Sequence, residues 1–221
     1  MAQQKSFCYD IVFCLDKTLK NASQLDFLVI FIEKFKERLA TLLRDQYKLQ
    51  SVRIKIIEYD DFNTNDNAII DHGFVSIPEQ YDELMDLLES LEFAEPVKYE
   101  GFSSGLEALA HAINSKWKKF EDGRQAIVLF SLNKPLSLEE SREIENYPKN
   151  MPENLSQLRD LWNSDKMNRD KKMLYLFCDL EKDKTSWFPV SQWDKTIAVN
   201  TENINDYNSD FIMETLLIDI I

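Results

Sequence analysis

Tyr9-Asp-Ile-Val-Phe-Cys-Leu-Asp16 is the stretch on which the fold turns. It is a mainly apolar run closed by an acid, as expected of a strand buried on both faces, where neither side of the two-residue period meets water. Working outward, apolar residues recur at helical spacing from Leu25 to Tyr47, at Leu28, Phe31, Ile32, Phe35, Leu39, Leu42 and Leu43. That pattern predicts a long amphipathic helix with its charged residues outside. Val52 to Tyr59 alternates in part and reads as a second strand. Phe74 to Ile77 reads as a short edge strand, and Pro78 suits the first turn of a helix through Leu91.

Further along, Ser104-Gly-Leu-Glu107 has capping-box spacing and opens a helix with Leu106, Leu109, Ile113 and Trp117 on one face. Gln125-Ala-Ile-Val-Leu-Phe-Ser131 carries no charge and predicts a central strand. Ser137-Leu-Glu-Glu140 is a second capping box, for a short helix, and another helix runs from Glu153 to Asn168. Lys172 to Cys178 and Thr196 to Asn200 read as the last strands. Asp206 to Ile221 closes the chain as a helix with two apolar rows, Ile212, Leu216, Ile220 and Met213, Leu217, Ile221. Those rows must dock against the body or against a partner whose core they complete.

This alternation implies one α/β domain over residues 1–221, a doubly wound, mainly parallel, Rossmann-like sheet with helices on both faces. Ligand crevices in such sheets lie beyond the carboxyl ends of the strands. The segments to examine are therefore Asp16 to Lys20, Tyr59 to Phe62, Gly101 to Ser104, Ser131 to Pro135, and the loop after Cys178.

Composition narrows the function. Hydrophobic residues make up 44% of the 221, enough for a sizeable core. There are only 4 glycines, where average usage gives roughly 15, so no glycine-rich phosphate loop and no nucleophile elbow can be written. Twenty-six basic against 39 acidic residues give a net charge of −13. A chain this acidic repels nucleic acid and anionic membrane, and its partner should be a protein with basic or neutral surface. The N-terminus lacks an apolar signal region, and no run approaches the ~20 apolar residues of a membrane span. Cys8, Cys14 and Cys178 lie in apolar segments without CxxC spacing, which reads as buried thiols in a reducing, cytoplasmic compartment.

The crevice segments resemble the von Willebrand factor A (vWA) domain, especially its bacterial cytoplasmic members of the tellurite-resistance type, over most of Tyr9 to Asn200. The likeness rests on Asp16-Lys-Thr18 closing a buried strand, the long helix after it, and the Ile-Glu-Tyr-Asp-Asp strand end. It continues through Gly101-Phe-Ser with its helix and Ser131-Leu-Asn-Lys-Pro135. The resemblance implies a metal-ion-dependent adhesion site, in which hydroxyl and carboxylate oxygens hold a divalent ion that a partner's carboxylate completes. Asp16 and Thr18 match that motif, and Ser103 stands at its Thr position. Lys20 replaces a Ser ligand and Leu132 an Asp, so two of the five positions are lost. A cation beside Mg²⁺ is repelled, and the site reads as metal-free, with no cofactor expected. Either the Lys20 ammonium takes the ion's place beside Asp16, Thr18 and Ser103, or it begins the long helix facing solvent.

Asp16-Lys-Thr-Leu is also similar to the nucleophile motif of haloacid-dehalogenase-like, Mg²⁺-dependent phosphatases. On that reading Asp16 attacks phosphorus, Ser131 assists, and Asp206 with Asp210 holds the ion. His72 and His111 lie far apart in sequence with no adjacent Cys or acidic cluster, so they read as structural or solvated and not as a metal site. Asp60-Asp61 reads as a solvated turn or a cation site. Trp187, Phe188 and Trp193, set among polar residues, read either as partner-binding anchors or as pins that fix a long loop to the body. The favoured function is non-catalytic: a protein–protein interaction module with a degraded metal site.

Overall fold

The computed structural model describes residues 5–17, 33–35, 37–41, 47–91, 102–131, 133–145, 147–181, 183–200 and 209–217. The strands are β1 (Lys5–Asp16), β2 (Tyr47–Tyr59), β3 (Ile69–Ile77), β4 (Gly123–Ser131), β5 (Lys172–Cys178) and β6 (Thr196–Asn200). They form one sheet in the order β3-β2-β1-β4-β5-β6. All neighbours are parallel except β2 and β3, which are antiparallel. The helices are α1 (described over 33–35 and 37–41), α2 (Tyr81–Ser90), α3 (Gly105–Ile113) and α4 (Leu138–Ser141). They continue with α5 (Leu155–Trp162), α6 (Trp187–Ser191) and α7 (Ser209–Leu217).

β1 explains its own sequence. Phe7, Tyr9, Ile11, Phe13 and Leu15 enter one hydrophobic cluster, together with Phe35 and Leu39 of α1, Leu84 and Leu88 of α2, and the apolar rows of α7. Val12 and Cys14 enter a second cluster, with α3, Leu138 of α4, Leu158 and Trp162 of α5, and Trp187 and Val190 of α6. A strand covered on both sides has no polar face to show. β4, whose Gln125 to Ser131 stretch carries no charge, sits between β1 and β5, as a central strand should.

The C-terminal helix belongs to this chain's own core. Ile212, Met213, Leu216 and Leu217 are buried, and the Tyr9 hydroxyl donates to the Leu216 carbonyl at 3.1 Å. Each such side chain contributes roughly 1.5–3 kcal/mol, so losing four would consume most of the 5–15 kcal/mol typical of a domain. The described part of the helix is therefore not available to complete a partner's core; Ile220 and Ile221 lie outside the described residues.

Several boundaries move. β2 begins at Tyr47, paired with Lys5, so the preceding helix cannot reach that far. β3 begins at Ile69, ahead of the expected Phe74, which puts His72 on the strand. Gly73 supplies a positive φ of 77° there, close to a register irregularity in the β2–β3 pairing. The second capping box forms as read, with Ser137 and Glu140 bonded reciprocally. The first does not: α3 starts after Ser104, but its hydroxyl accepts from Phe62 N at 3.1 Å. α3 also ends before Trp117, whose indole N–H donates to the Ala112 and Ile113 carbonyls at the helix end. α5 is shorter than expected, capped by Asn154. α6 has no counterpart in the sequence reading.

Candidate functional site

Strand register sets the ends of β1, β2, β4 and β5 along one carboxyl edge. Asp16 pairs with Tyr59, Cys14 with Leu129, and Ser131 with Cys178. Asp16 there is fully buried. Lys17 N donates to Tyr59 O at 2.7 Å, and Ser104 N to Asp60 O at 3.0 Å, so the β1 end and the α3 start hang from two successive carbonyls, the last of β2 and the one after it. Ser103 makes a parallel bridge to Pro135, its N–H donating to Lys134 O and its carbonyl accepting from Leu136 N. Main-chain bonds thus join the segments after β2 and β4 to the α3 start.

Trp187 closes the crevice. It is 1% exposed, and its indole N–H donates to Ser131 Oγ at 3.2 Å. A Cβ at position 105 would lie 2.7 Å from the Trp187 ring, so glycine is the residue that admits the indole. Asp183 positions that ring. Its buried carboxylate accepts from the backbone N–H groups of Thr185, Ser186 and Trp187 and from the Thr185 hydroxyl, all at 3.0–3.1 Å. Sequence reasoning passed over Asp183; an acid a few residues ahead of a buried aromatic is a capping signal that could have found it.

The expected site residues divide. Asp16 and Ser103 are both buried on this edge, and Ser103 Oγ has no hydrogen-bond partner among the described residues. Thr18, Lys20 and Leu132 lie outside the described residues, so the position of the Lys20 ammonium does too. Trp187 and Trp193, at 1% and 7% exposure, are both buried and packed in this chain's own second cluster. Phe188, at 50% exposure, is left at the surface of that segment.

Of the residues of the phosphatase reading, Asp16 and Ser131 end neighbouring strands on this edge, and Asp210 lies on α7. Ser131 Oγ donates to Asn133 O while accepting from Trp187, and Asp210 pairs with Arg38 of α1 at 2.9 Å. Asp206 lies outside the described residues. Asp60 and Asp61 fold into a turn, with Asp61 Oδ1 accepting from Asn63 N and Nδ2. His72 bonds Glu58 at 2.7 Å and His111 bonds Asp71 at 2.8 Å, stitching β3 to β2 and α3. All three cysteines are free and buried, and burial pushes the Cys14 and Cys178 thiols far above the ordinary range. Such thiols are poor nucleophiles.

Glu107 is the residue whose part was misread. Spacing cast it as the capping-box acid of α3, but it is buried beneath the segment after α4, where Tyr147 OH donates to Oε1 at 3.2 Å. Burial raises its carboxyl to about 7, the bonds from Ser141 and Tyr147 acting the other way. Hydrogen bonding alone is legible in a capping-box pattern; burial is not.

Among the described residues, no group of three or more His, Cys, Asp and Glu side chains is arranged to hold a metal ion. No helix among them is long and apolar enough to cross a membrane. No family model matches this sequence, and no curated protein matches it either.

Proposed function

We propose that this chain is a non-catalytic protein-interaction module, a doubly wound vWA-like domain whose carboxyl edge works without a metal ion, in a cytoplasmic bacterial complex or stress-response system. The observation that carries this reading is how the edge is held. Peptide hydrogen bonds join Ser103 and Ser104 to Asp60, Lys134 and Leu136, and Trp187 packs the crevice against Gly105. In a metal-dependent adhesion site the ion does that joining. The strand order, with an antiparallel β3 at one edge of an otherwise parallel sheet, supports the same reading.

The donor set does not fit a divalent ion. Mg²⁺ demands a near-octahedral shell of oxygens. Asp16 and Ser103 offer oxygens, but Lys20 brings a cation and Leu132 a hydrocarbon to positions where the resemblance requires Ser and Asp.

What this edge offers a partner is two exposed aromatic side chains beside a recess of mixed polar and apolar lining. Phe188 is 50% and Phe102 40% exposed, and Phe102 lines a recess of about 260 Å³ with Leu106, Pro135 and Leu155. Glu139 and Glu140, which line the recess beside Phe102, favour a partner with basic side chains around an apolar anchor. Affinity capture from native cytoplasm, followed by reconstitution with the purified partner, tests this. The Phe102→Ser/Phe188→Asp variant should lose the complex while keeping its melting temperature. Stoichiometric Mg²⁺ binding by calorimetry, or phosphate-ester hydrolysis abolished by Asp16→Asn, overturns the reading, the second in favour of the phosphatase.

A further inference from the structure

The opposite, amino edge of the sheet carries a second feature, independent of the reading above. The segments leading into β4 and β5 face each other across a cleft of about 430 Å³, within the size range of small-molecule sites. Trp117 and Phe120 supply aromatic wall, and Lys119, Lys166 and Arg169 line the same cleft. One acid, Asp165, lies among them, leaving a local surplus of two positive charges in a chain whose net charge is −13. Lys119, Lys166 and Arg169 are exposed, and none is paired with a carboxylate among the described residues.

The walls are held in place by bonds that need no ligand. Gln125 is buried; its Oε1 accepts from Asn168 N at 2.7 Å and its Nε2 donates to Lys118 O at 3.0 Å, so one amide ties both walls together. The Trp117 indole is fixed by two carbonyls at the end of α3. Lys171 Nζ lies 5.5 Å from the Phe120 ring centroid and donates to the Phe120 and Glu121 carbonyls. A cleft assembled this way loses little conformational freedom when a ligand enters.

We propose that this cleft binds a small phosphorylated ligand with a planar ring, of the mononucleotide class, its phosphate held by Lys119, Lys166 and Arg169 and its ring set against Trp117 and Phe120. Three cations against one acid match a phosphate dianion better than a single carboxylate. Arg169 can bond phosphate oxygens in parallel, and the two lysines act as point charges. Like charges gathered around one cleft repel each other, and an anion relieves that cost.

The test uses the full chain, with adenosine monophosphate as probe and adenosine and inorganic phosphate as comparators, in calorimetry at low salt. The monophosphate should bind one to one with a dissociation constant under about 1 mM, more tightly than inorganic phosphate. Adenosine should not bind measurably. The Lys166→Ala/Arg169→Ala variant, with unchanged melting temperature, should bind on the order of ten- to a hundred-fold more weakly. Absence of saturable binding up to about 5 mM overturns the proposal. So does equal binding of adenosine and its monophosphate, or undiminished binding by the double variant.

Discussion

At the carboxyl edge the acids go inside. Asp61, Asp179 and Asp183 are buried there, and each accepts at least one backbone N–H. Around the cleft at the amino edge three cations stay outside, Lys119, Lys166 and Arg169, although Lys172 at the start of β5 is buried. The comparison separates two uses of charge. A buried carboxylate that terminates loop N–H groups is part of the fold, because removing it strands several donors at once. An exposed lysine contributes little to folding and is free to be used for something else. The chain's −13 is therefore a poor guide to either edge, since part of the acid surplus is enclosed and the local cation surplus is not.

The sharpest way to break this contrast is at Trp187. Trp187→Ala removes a fully buried indole and leaves Ser131 Oγ without its donor. A loss of about 3–5 kcal/mol is expected, read by chemical denaturation. A loss under about 1 kcal/mol would mean the crevice is not closed by this ring.

Glu107 gives the next largest effect, and its sign is opposite to that of an ordinary paired carboxylate. Its folded-state value of about 7 lies above the ordinary 4.5, so the folded protein holds the proton more tightly than the unfolded chain. Its contribution is fully present below pH 4.5 and is lost as pH rises through 7. The loss amounts to at most about 3 kcal/mol. Glu107→Gln should flatten that decline between pH 5 and 8, the difference from wild type vanishing at the acid end. A wild-type profile already flat across this window would show that Glu107 is not held as the geometry implies.

At the amino edge the expected change is the smallest. Lys166→Ala/Arg169→Ala should alter stability by less than about 0.5 kcal/mol, measured in the same denaturation experiment. A larger loss would place these cations among the supports of the fold and erase the contrast between the edges.

Much of the fold was legible because periodicity reports burial. The apolar runs of β1, β4 and β5 identified strands, and the i, i+4 rows in the last helix identified a buried face. The β3 segment was harder. Ile69-Ile-Asp-His-Gly looks like a loop because its polar side chains find partners on β2 and α3, as His72 does with Glu58 and His111 with Asp71. The capping boxes show the same limit from another side. Identical spacing produced a closed box at Ser137 and none at Ser104, where the loop after β2 took the hydroxyl first. At the site, Asp16 and Ser103 were recognisable from position after a strand and before a helix, whereas Asp183 and Glu107 matter through contacts made across the fold.

The α/β class, the central strands and the poverty of glycine were already written in the chain, since each follows from residue identity or local spacing. Only the tertiary structure decided that Trp187 and Trp193 face inward while Phe188 faces out, that α7 packs on β1, and that the segments before β4 and β5 form one cleft. Those are questions of which apolar surface finds cover and which charges come close together. Both depend on residues distant along the chain, which no local pattern can bring into contact.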